Sequence, residues 1–254
     1  MTESGFSIRA QQRFDEEGFV IERGLLADDL RLRMIAAAAR DLAAAQPPLE
    51  YEAELRYPGA PQSLEAPGGR TVRRLLQACA RDVVFREAAT APTIAVRLRQ
   101  LLGPAVMLAQ THHNCVMTKH PHHGSQTLWH RDIRYWSYAR PELVSAWFAL
   151  DTEHAENGGL MVIPGSHRMD FAPGRLDAAQ FLRPDHEQNR ALIASKVDVE
   201  LDPGDVLFFH CRLFHAAGAN RSERIKLSPV FTYRAADNPP LPGTRSASLP
   251  DLPL

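Results

Sequence analysis

A mainly β protein, a sandwich or barrel with helices on one face, is the fold class this sequence predicts, and two observations predict it. The first hundred or so residues hold Ala- and Leu-rich stretches with apolar side chains at helical spacing. From Ala105 onward the apolar residues come instead in short β-type runs, most of them cut off by Gly, Pro, Asn or Asp. Strands gathered after helices argue for a packed β-core with the helices laid against it. At 254 residues the chain fits one domain: a mostly helical layer over 1–104, a β-core over 105–235 and a Pro-rich tail over 236–254.

In order, Ser7 to Gly18 reads as a short helix and Phe19-Val20-Ile21 as a β-type run. Asp28 to Ala45 sets Leu30, Ile35 and Leu42 at helical spacing, and Pro47-Pro48 ends it. Residues 49–70 are polar with Gly and Pro and are expected as loop, and Val72 to Leu102 as two or three helices stopped by Gly103-Pro104. Val106 begins a strand expected to run to Met117, followed by a polar loop from Lys119 to Gln126. Further strands are expected at 128–135, 143–150, 160–164, 196–201, 204–210 and 226–233. Residues 167–195 read as an irregular or partly helical insertion, and Asn238 to Leu254, with five prolines, as an extended or disordered tail.

Hydrophobic content of 44% and charged content of 23% are those of a soluble globular chain, and a net charge of -1 gives no global field for nucleic acid or membrane. No apolar run reaches the roughly 18 residues of a membrane span. Met1-Thr2-Glu3-Ser4-Gly5-Phe6 lacks a charged-then-apolar leader pattern. Cys79, Cys115 and Cys211 are scattered, with neither zinc spacing nor a disulfide framework, so a reducing compartment and a cytoplasmic location are expected.

The chemistry concentrates at Leu128-Trp129-His130-Arg131-Asp132-Ile133. Two residues apart on a strand, His130 and Asp132 project from one face. A lone His-x-Asp is more often a surface pair without function. One further histidine would complete a two-His, one-carboxylate triad, which covers one face of a metal ion and leaves the other open, as suits Fe(II). His210 and His215 both follow the apolar run Val206 to Phe209, and physics alone does not separate them. His112, His113, His120, His122, His123 and His130 crowd one segment; a second metal is one reading, and a polar lid loop at His120 to Gly124 is preferred.

Around these residues stand Ser145-Ala146-Trp147-Phe148-Ala149-Leu150, then Glu156-Asn157-Gly158-Gly159-Leu160-Met161-Val162-Ile163-Pro164-Gly165-Ser166-His167, then the segment Gly204 to Ser222. With Trp129-His130-Arg131-Asp132 and the opening Phe14-Asp15-Glu16-Glu17-Gly18-Phe19-Val20-Ile21, the chain resembles the phytanoyl-CoA dioxygenase family of Fe(II)- and 2-oxoglutarate-dependent oxygenases. The resemblance runs in order along nearly the whole chain. It implies a double-stranded β-helix (jelly-roll, cupin-like) core and a dioxygenase using Fe(II), 2-oxoglutarate as cosubstrate, and O2. It places the distal ligand in a His-x-x-Gly-x-Asn-x-Ser segment, so His130, Asp132 and His215 become the metal ligands and catalytic centre, and His210 a structural residue.

For the cosubstrate, the family usually has an Arg eleven residues after the distal His; here that position is Lys226, a point charge of shorter reach. Arg224 shares its strand parity and is the alternative, and Ser228 is expected to share the same carboxylate. Cys115 matches a cosubstrate-contacting position four before Lys119 of Lys119-His120-Pro121, and Trp147 matches a tryptophan beside the cosubstrate; Lys119 and Thr127 join the set. Arg134 and Trp136 continue the parity of His130 and Asp132, and His113 shares a face with Cys115, so these three are expected to face the substrate. With Arg131, Arg140, Arg168 and Arg175 near them in sequence, a small or conjugated anionic substrate is expected. One candidate that similar oxygenases suggest is the 3-deoxy-D-manno-octulosonic acid sugar of lipopolysaccharide, which would make the partner a small molecule or lipid-linked sugar. Asp132 points to hydroxylation, since related halogenases lack this carboxylate. Desaturation, C–P or C–N cleavage, or a non-catalytic metal-binding sandwich are the alternatives.

Overall fold

Residues 4–55, 57–172 and 174–254 are described by the computed structural model. The chain opens with α1 (Ile8–Glu17), whose Ser7 side chain accepts from the Ala10 amide at 3.1 Å. Gly18 ends it at φ +84°, and a Cβ there would meet the His167 ring at 2.5 Å, so both conformation and space call for glycine. Next come β1 (Phe19–Glu22), α2 (Asp28–Ala43), β2 (Leu49–Tyr51), α3 (Glu52–Leu55) and β3 (Val72–Leu76). Three more helices follow, α4 (Ala78–Arg81), α5 (Val83–Ala89) and α6 (Pro92–Leu102). After them lie β4 (Val106–Leu108), β5 (Asn114–Lys119), β6 (Thr127–His130), β7 (Leu143–Phe148) and β8 (Leu160–Val162). The chain closes with α7 (Glu187–Ala194), β9 (Val197–Asp198), β10 (Val206–His210), β11 (His215–Ala217), β12 (Lys226–Ala235) and β13 (Leu252–Pro253).

The strands form two antiparallel sheets. The larger runs β1-β10-β7-β12-β5-β3-β2, with β4 pairing the end of β12 and β13 pairing β4; the smaller runs β6-β11-β8-β9. Strand alternation divides the apolar side chains between two cores. Trp147, Leu207, Phe209 and Val230 pack between the sheets with Leu160, Val162 and Leu213. Their neighbours Phe148, Val206, Phe208, Phe231 and Tyr233 point the other way, onto Met34, Phe85, Ile94 and Leu98 of the helical layer. This is the double-stranded β-helix expected, with the helices on the outer face of the large sheet.

Several local expectations are corrected. The polar stretch 49–70 contains β2 and α3, and the segment from Val72 begins with a strand, not a helix. Arg73 and Arg74 disguised β3; both sit there because that strand borders an internal cavity. The long strand from Val106 is broken between Leu108 and Asn114, and the strand at 128 stops at His130, where Asp132–Tyr135 forms a 3-10 turn. The Pro-rich tail is ordered: Leu252 and Pro253 pair with Leu108 and Met107, and the Gln110 side chain donates to the Pro250 carbonyl at 2.6 Å.

Candidate metal centre

His130 ends β6 and His215 begins β11, and the two are direct cross-strand partners in the small sheet, with ring centroids 4.3 Å apart. Asp132 enters from the 3-10 turn that replaces the expected strand. That turn is pinned by the Ile133 amide donating to the Cys211 carbonyl at 3.0 Å, just upstream of His215. Asp132 Oδ1 lies 3.8 Å from His130 Nε2 and 3.6 Å from His215 Nε2. The three side chains are buried and their ligand atoms lie within 4.8 Å of one another; no other such group of three occurs among the described residues.

The ring orientations are fixed from behind. His130 Nδ1 donates to the Leu128 carbonyl at 2.8 Å, and His215 Nδ1 donates to the Leu213 carbonyl at 3.1 Å. With the proton on Nδ1, each Nε2 presents a lone pair to the centre. Burial, and then the neighbouring His215, holds the His130 imidazole well below its ordinary pKa, so it is neutral. Asp132 is fully buried, which works against its charge, yet His113, His215 and His130 around it hold it below the usual carboxylate range. Its Oδ2 has no hydrogen-bond partner and lies 3.6 Å from His113 Nδ1. Two imidazoles with Nε2 turned to the centre and one anionic, under-satisfied carboxylate form a donor set that fits a divalent ion such as Fe(II).

The centre opens onto a cavity of about 640 Å³ between the sheets. Cys115, Lys119, Thr127, Trp147 and Lys226 line it, as do His113 and Trp136. The Cys115 thiol is pushed up to about 12 by burial. At the inner end, the Lys226 ammonium donates to Glu153 Oε2 at 2.9 Å and to Ser228 Oγ at 2.8 Å. Ser228 in turn donates to Glu153 Oε1 at 2.6 Å, and Trp147 Nε1 donates to both Glu153 oxygens at 3.1 Å. Ser228 therefore stands behind Lys226 and is not part of the wall. Lys119 pairs across the ladder with Lys226 and donates from Nζ to the Ser125 carbonyl at 2.7 Å. Burial, Arg73 and Lys226 depress its pKa well below that of a free lysine.

Two predicted residues lie elsewhere. Arg224 is 81% exposed and pairs with Asp151 at the surface, because the chain reaches β12 only at Lys226 and parity does not extend backward into the turn. Arg134 is carried off the cavity by the 3-10 turn and stacks on Phe181, 3.7 Å from its ring centroid. Arg131, Arg140, Arg168 and Arg175 do not line the cavity either; Arg131 and Arg175 stack on Phe171 and Arg140 pairs with Asp237. The basic residues at the wall besides the two lysines are Arg73, Arg74 and Arg245. Arg73 and Arg74 were hidden in a segment that reads as helix, and Arg245 in a tail that reads as extended or disordered. Glu153 carries no sequence signal at all, since an acidic residue before Asn157-Gly158-Gly159 reads as a solvated turn. His210 lines a separate cavity with His167, its Nδ1 accepting from the Arg212 amide at 3.1 Å. The histidines of the 120–124 loop do not line the main cavity; Gly124 closes that loop by donating to the His120 carbonyl at 3.1 Å.

Comparison with known proteins agrees with this geometry. The family model for phytanoyl-CoA dioxygenase (PhyH) matches residues 14–228. The peroxisomal phytanoyl-CoA dioxygenase of Rattus norvegicus is 25% identical over 243 residues, covering 91% of this chain and 69% of that protein. The ectoine dioxygenase of Halomonas elongata is 27% identical over 246 residues, covering 89% and 69%. A probable phytanoyl-CoA dioxygenase of Caenorhabditis elegans is 27% identical over 173 residues, and the chain spans about half of its length, 54%. Among solved structures, EctD from S. alaskensis with 2-oxoglutarate and 5-hydroxyectoine superposes at a TM-score of 0.76 with 23% identity, over 95% of this chain and 80% of that one. The epimerase SnoN in complex with Fe3+, alpha ketoglutarate and nogalamycin RO superposes at 0.73 with 24% identity, over 97% and 94%. The buried His-Asp-His centre inside a double-stranded β-helix, and a family match over most of the sequence, lead to one conclusion: this chain belongs to the phytanoyl-CoA dioxygenase (PhyH) family of Fe(II)- and 2-oxoglutarate-dependent oxygenases.

Proposed function

We propose that the protein hydroxylates a C–H bond of a small anionic substrate, with His130, Asp132 and His215 holding the iron and Lys226 and Lys119 receiving the far carboxylate of 2-oxoglutarate. The observation that carries it is the convergence of three buried ligand atoms, one of them on an under-satisfied carboxylate, at a cavity of about 640 Å³. Bound there, iron supplies the activation of O2 that couples decarboxylation of 2-oxoglutarate, to succinate and CO2, with transfer of one oxygen atom to the substrate.

The chain's own side chains divide the remaining work. His130 and His215 are aimed by their Nδ1 bonds, His130 stays neutral, and Asp132 supplies the negative charge. Lys226 keeps one N–H beyond those given to Glu153 and Ser228, and Lys119 stands beside it, so a carboxylate arriving there finds donors that are largely buried. On the substrate side, His113 and Trp136 form wall, their rings edge to face at 5.3 Å. The tail segment supplies Arg245, Ser248 and Leu249, and is fastened there by His112 Nε2 and the Ser137 amide, each 2.8 Å from Ser246 Oγ. Five basic side chains line the cavity against two acidic ones, Glu50 and Asp132, which supports an anionic substrate. Arg245 has no ionic partner among the described residues and is the group best placed to meet it.

Residues 1–254 are read as one domain, since α1 and the tail strand β13 both pack onto the large sheet. A cytoplasmic location fits the three free cysteines, two of them buried. The described helices include none long and apolar enough to cross a membrane. The test is to incubate the purified protein with Fe(II), O2 and 2-oxoglutarate. Succinate should form, and a cell extract added to the mixture should contain a compound that gains one oxygen by mass spectrometry. A non-catalytic metal-binding sandwich would yield no succinate, and desaturation or epimerisation would yield succinate without the added oxygen.

A further inference from the structure

At the inner end of the cavity, the cation that should meet the cosubstrate already has a carboxylate of its own. Glu153 is 1% exposed and lies behind the wall. It takes a 2.9 Å hydrogen bond from Lys226, a 2.6 Å bond from Ser228 and two 3.1 Å bonds from Trp147, so four donor contacts fix it in place. Glu153 and Ser228 are closed off behind the wall, Lys226 and Trp147 show only a small part of their surface at the cavity, and the Lys226 charge is compensated before any ligand arrives. An arriving carboxylate meets at Lys226 an ion pair whose charges cancel, not a free cation. A carboxylate bonded to Lys226 would also lie close to a second, fixed carboxylate.

We propose that Glu153 is a positioning residue that sets cosubstrate selectivity, orienting Lys226 while cancelling its charge, so that the chain gains little from the far carboxylate of a dicarboxylic 2-oxo acid. The inference rests on the cosubstrate role given above to Lys226. Two like charges within about 6 Å of each other in a buried pocket repel strongly enough to lower affinity by about tenfold or more. Removing the Glu153 charge while keeping its shape therefore tightens 2-oxoglutarate and leaves a monocarboxylic 2-oxo acid of the same chain length unaffected.

The experiment is anaerobic calorimetry on the Fe(II)-loaded protein, titrated with 2-oxoglutarate and with 2-oxopentanoate, in the wild type and in Glu153→Gln. The wild type is expected to prefer 2-oxoglutarate by less than about tenfold, and Glu153→Gln to widen that preference by about tenfold or more. A Glu153→Gln protein that binds 2-oxoglutarate no better than the wild type, or worse, overturns the proposal, because Glu153 is then only a prop for Lys226. Should that variant fail to fold, the wild-type comparison decides alone, and a preference of about a hundredfold or more overturns it. If neither oxo acid binds either protein, the cosubstrate role of Lys226 falls and this proposal with it.

Discussion

Replacing Lys226 by Met removes the only cation bonded to Glu153 among the described residues and leaves a carboxylate with 1% exposure facing a thioether. Taking one partner from a buried ion pair costs about 3–5 kcal/mol, because the remaining charge is stranded out of water. Glu153 keeps its bonds from Ser228 and Trp147, which soften the loss, so the lower end, about 3 kcal/mol, is expected. In a chain of this size each kcal/mol moves the midpoint by about 2–4 °C, giving a fall of about 6–12 °C by scanning calorimetry of the metal-free protein. The double variant Lys226→Met with Glu153→Gln removes both charges and should return to within about 1 kcal/mol of the wild type. A single variant costing less than about 1 kcal/mol, or a double variant no more stable than the single, would refute the view that these two charges hold each other.

Other outcomes follow from the same structure. His130→Ala should abolish succinate formation while the protein still melts cooperatively, as measured by a coupled succinate assay beside a thermal scan. Arg224→Ala should leave the 2-oxoglutarate requirement unchanged and stability within about 0.5 kcal/mol, since its partner Asp151 is at the surface, whereas Lys226→Ala should raise the requirement. Arg245→Ala should raise the substrate KM by about tenfold while substrate-free turnover of 2-oxoglutarate is unaltered, the loss expected for one charged hydrogen bond. Burial pushes the thiols of Cys115 and Cys211 up to about 12, so neither should react with iodoacetamide at pH 8 until the protein unfolds. The unfolded thiols ionise near about 8.5, so these two groups favour the folded state fully below that pH and progressively less as pH rises toward 12.

What was legible in the sequence, and what was not, divides along physical lines. The strands of the core were readable because their apolar runs are bounded by breakers, as at Val206 to His210 and Leu143 to Phe148. The triad was readable because His130 and Asp132 stand two apart in one short motif and the distal segment carries a family pattern. Parity failed where backbone regularity ended: two residues past His130 the chain becomes a 3-10 turn, which carries Arg134 away from the cavity. It failed again before Lys226, where β12 has not begun and Arg224 turns to solvent. β3 was missed because Arg73 and Arg74 break its apolar pattern, and they break it because Arg73 is held by the buried Glu52 and Arg74 by Glu50. The tail was missed because its order comes from long-range pairing with β4, which no local signal announces.

The most direct test of the centre is anomalous diffraction from crystals grown anaerobically with Fe(II), recorded at the iron edge. A single peak bounded by His130 Nε2, Asp132 Oδ1 and His215 Nε2 is the expected result. A peak held elsewhere, for example by His167 and His210, or no peak at the three side chains, would contradict it.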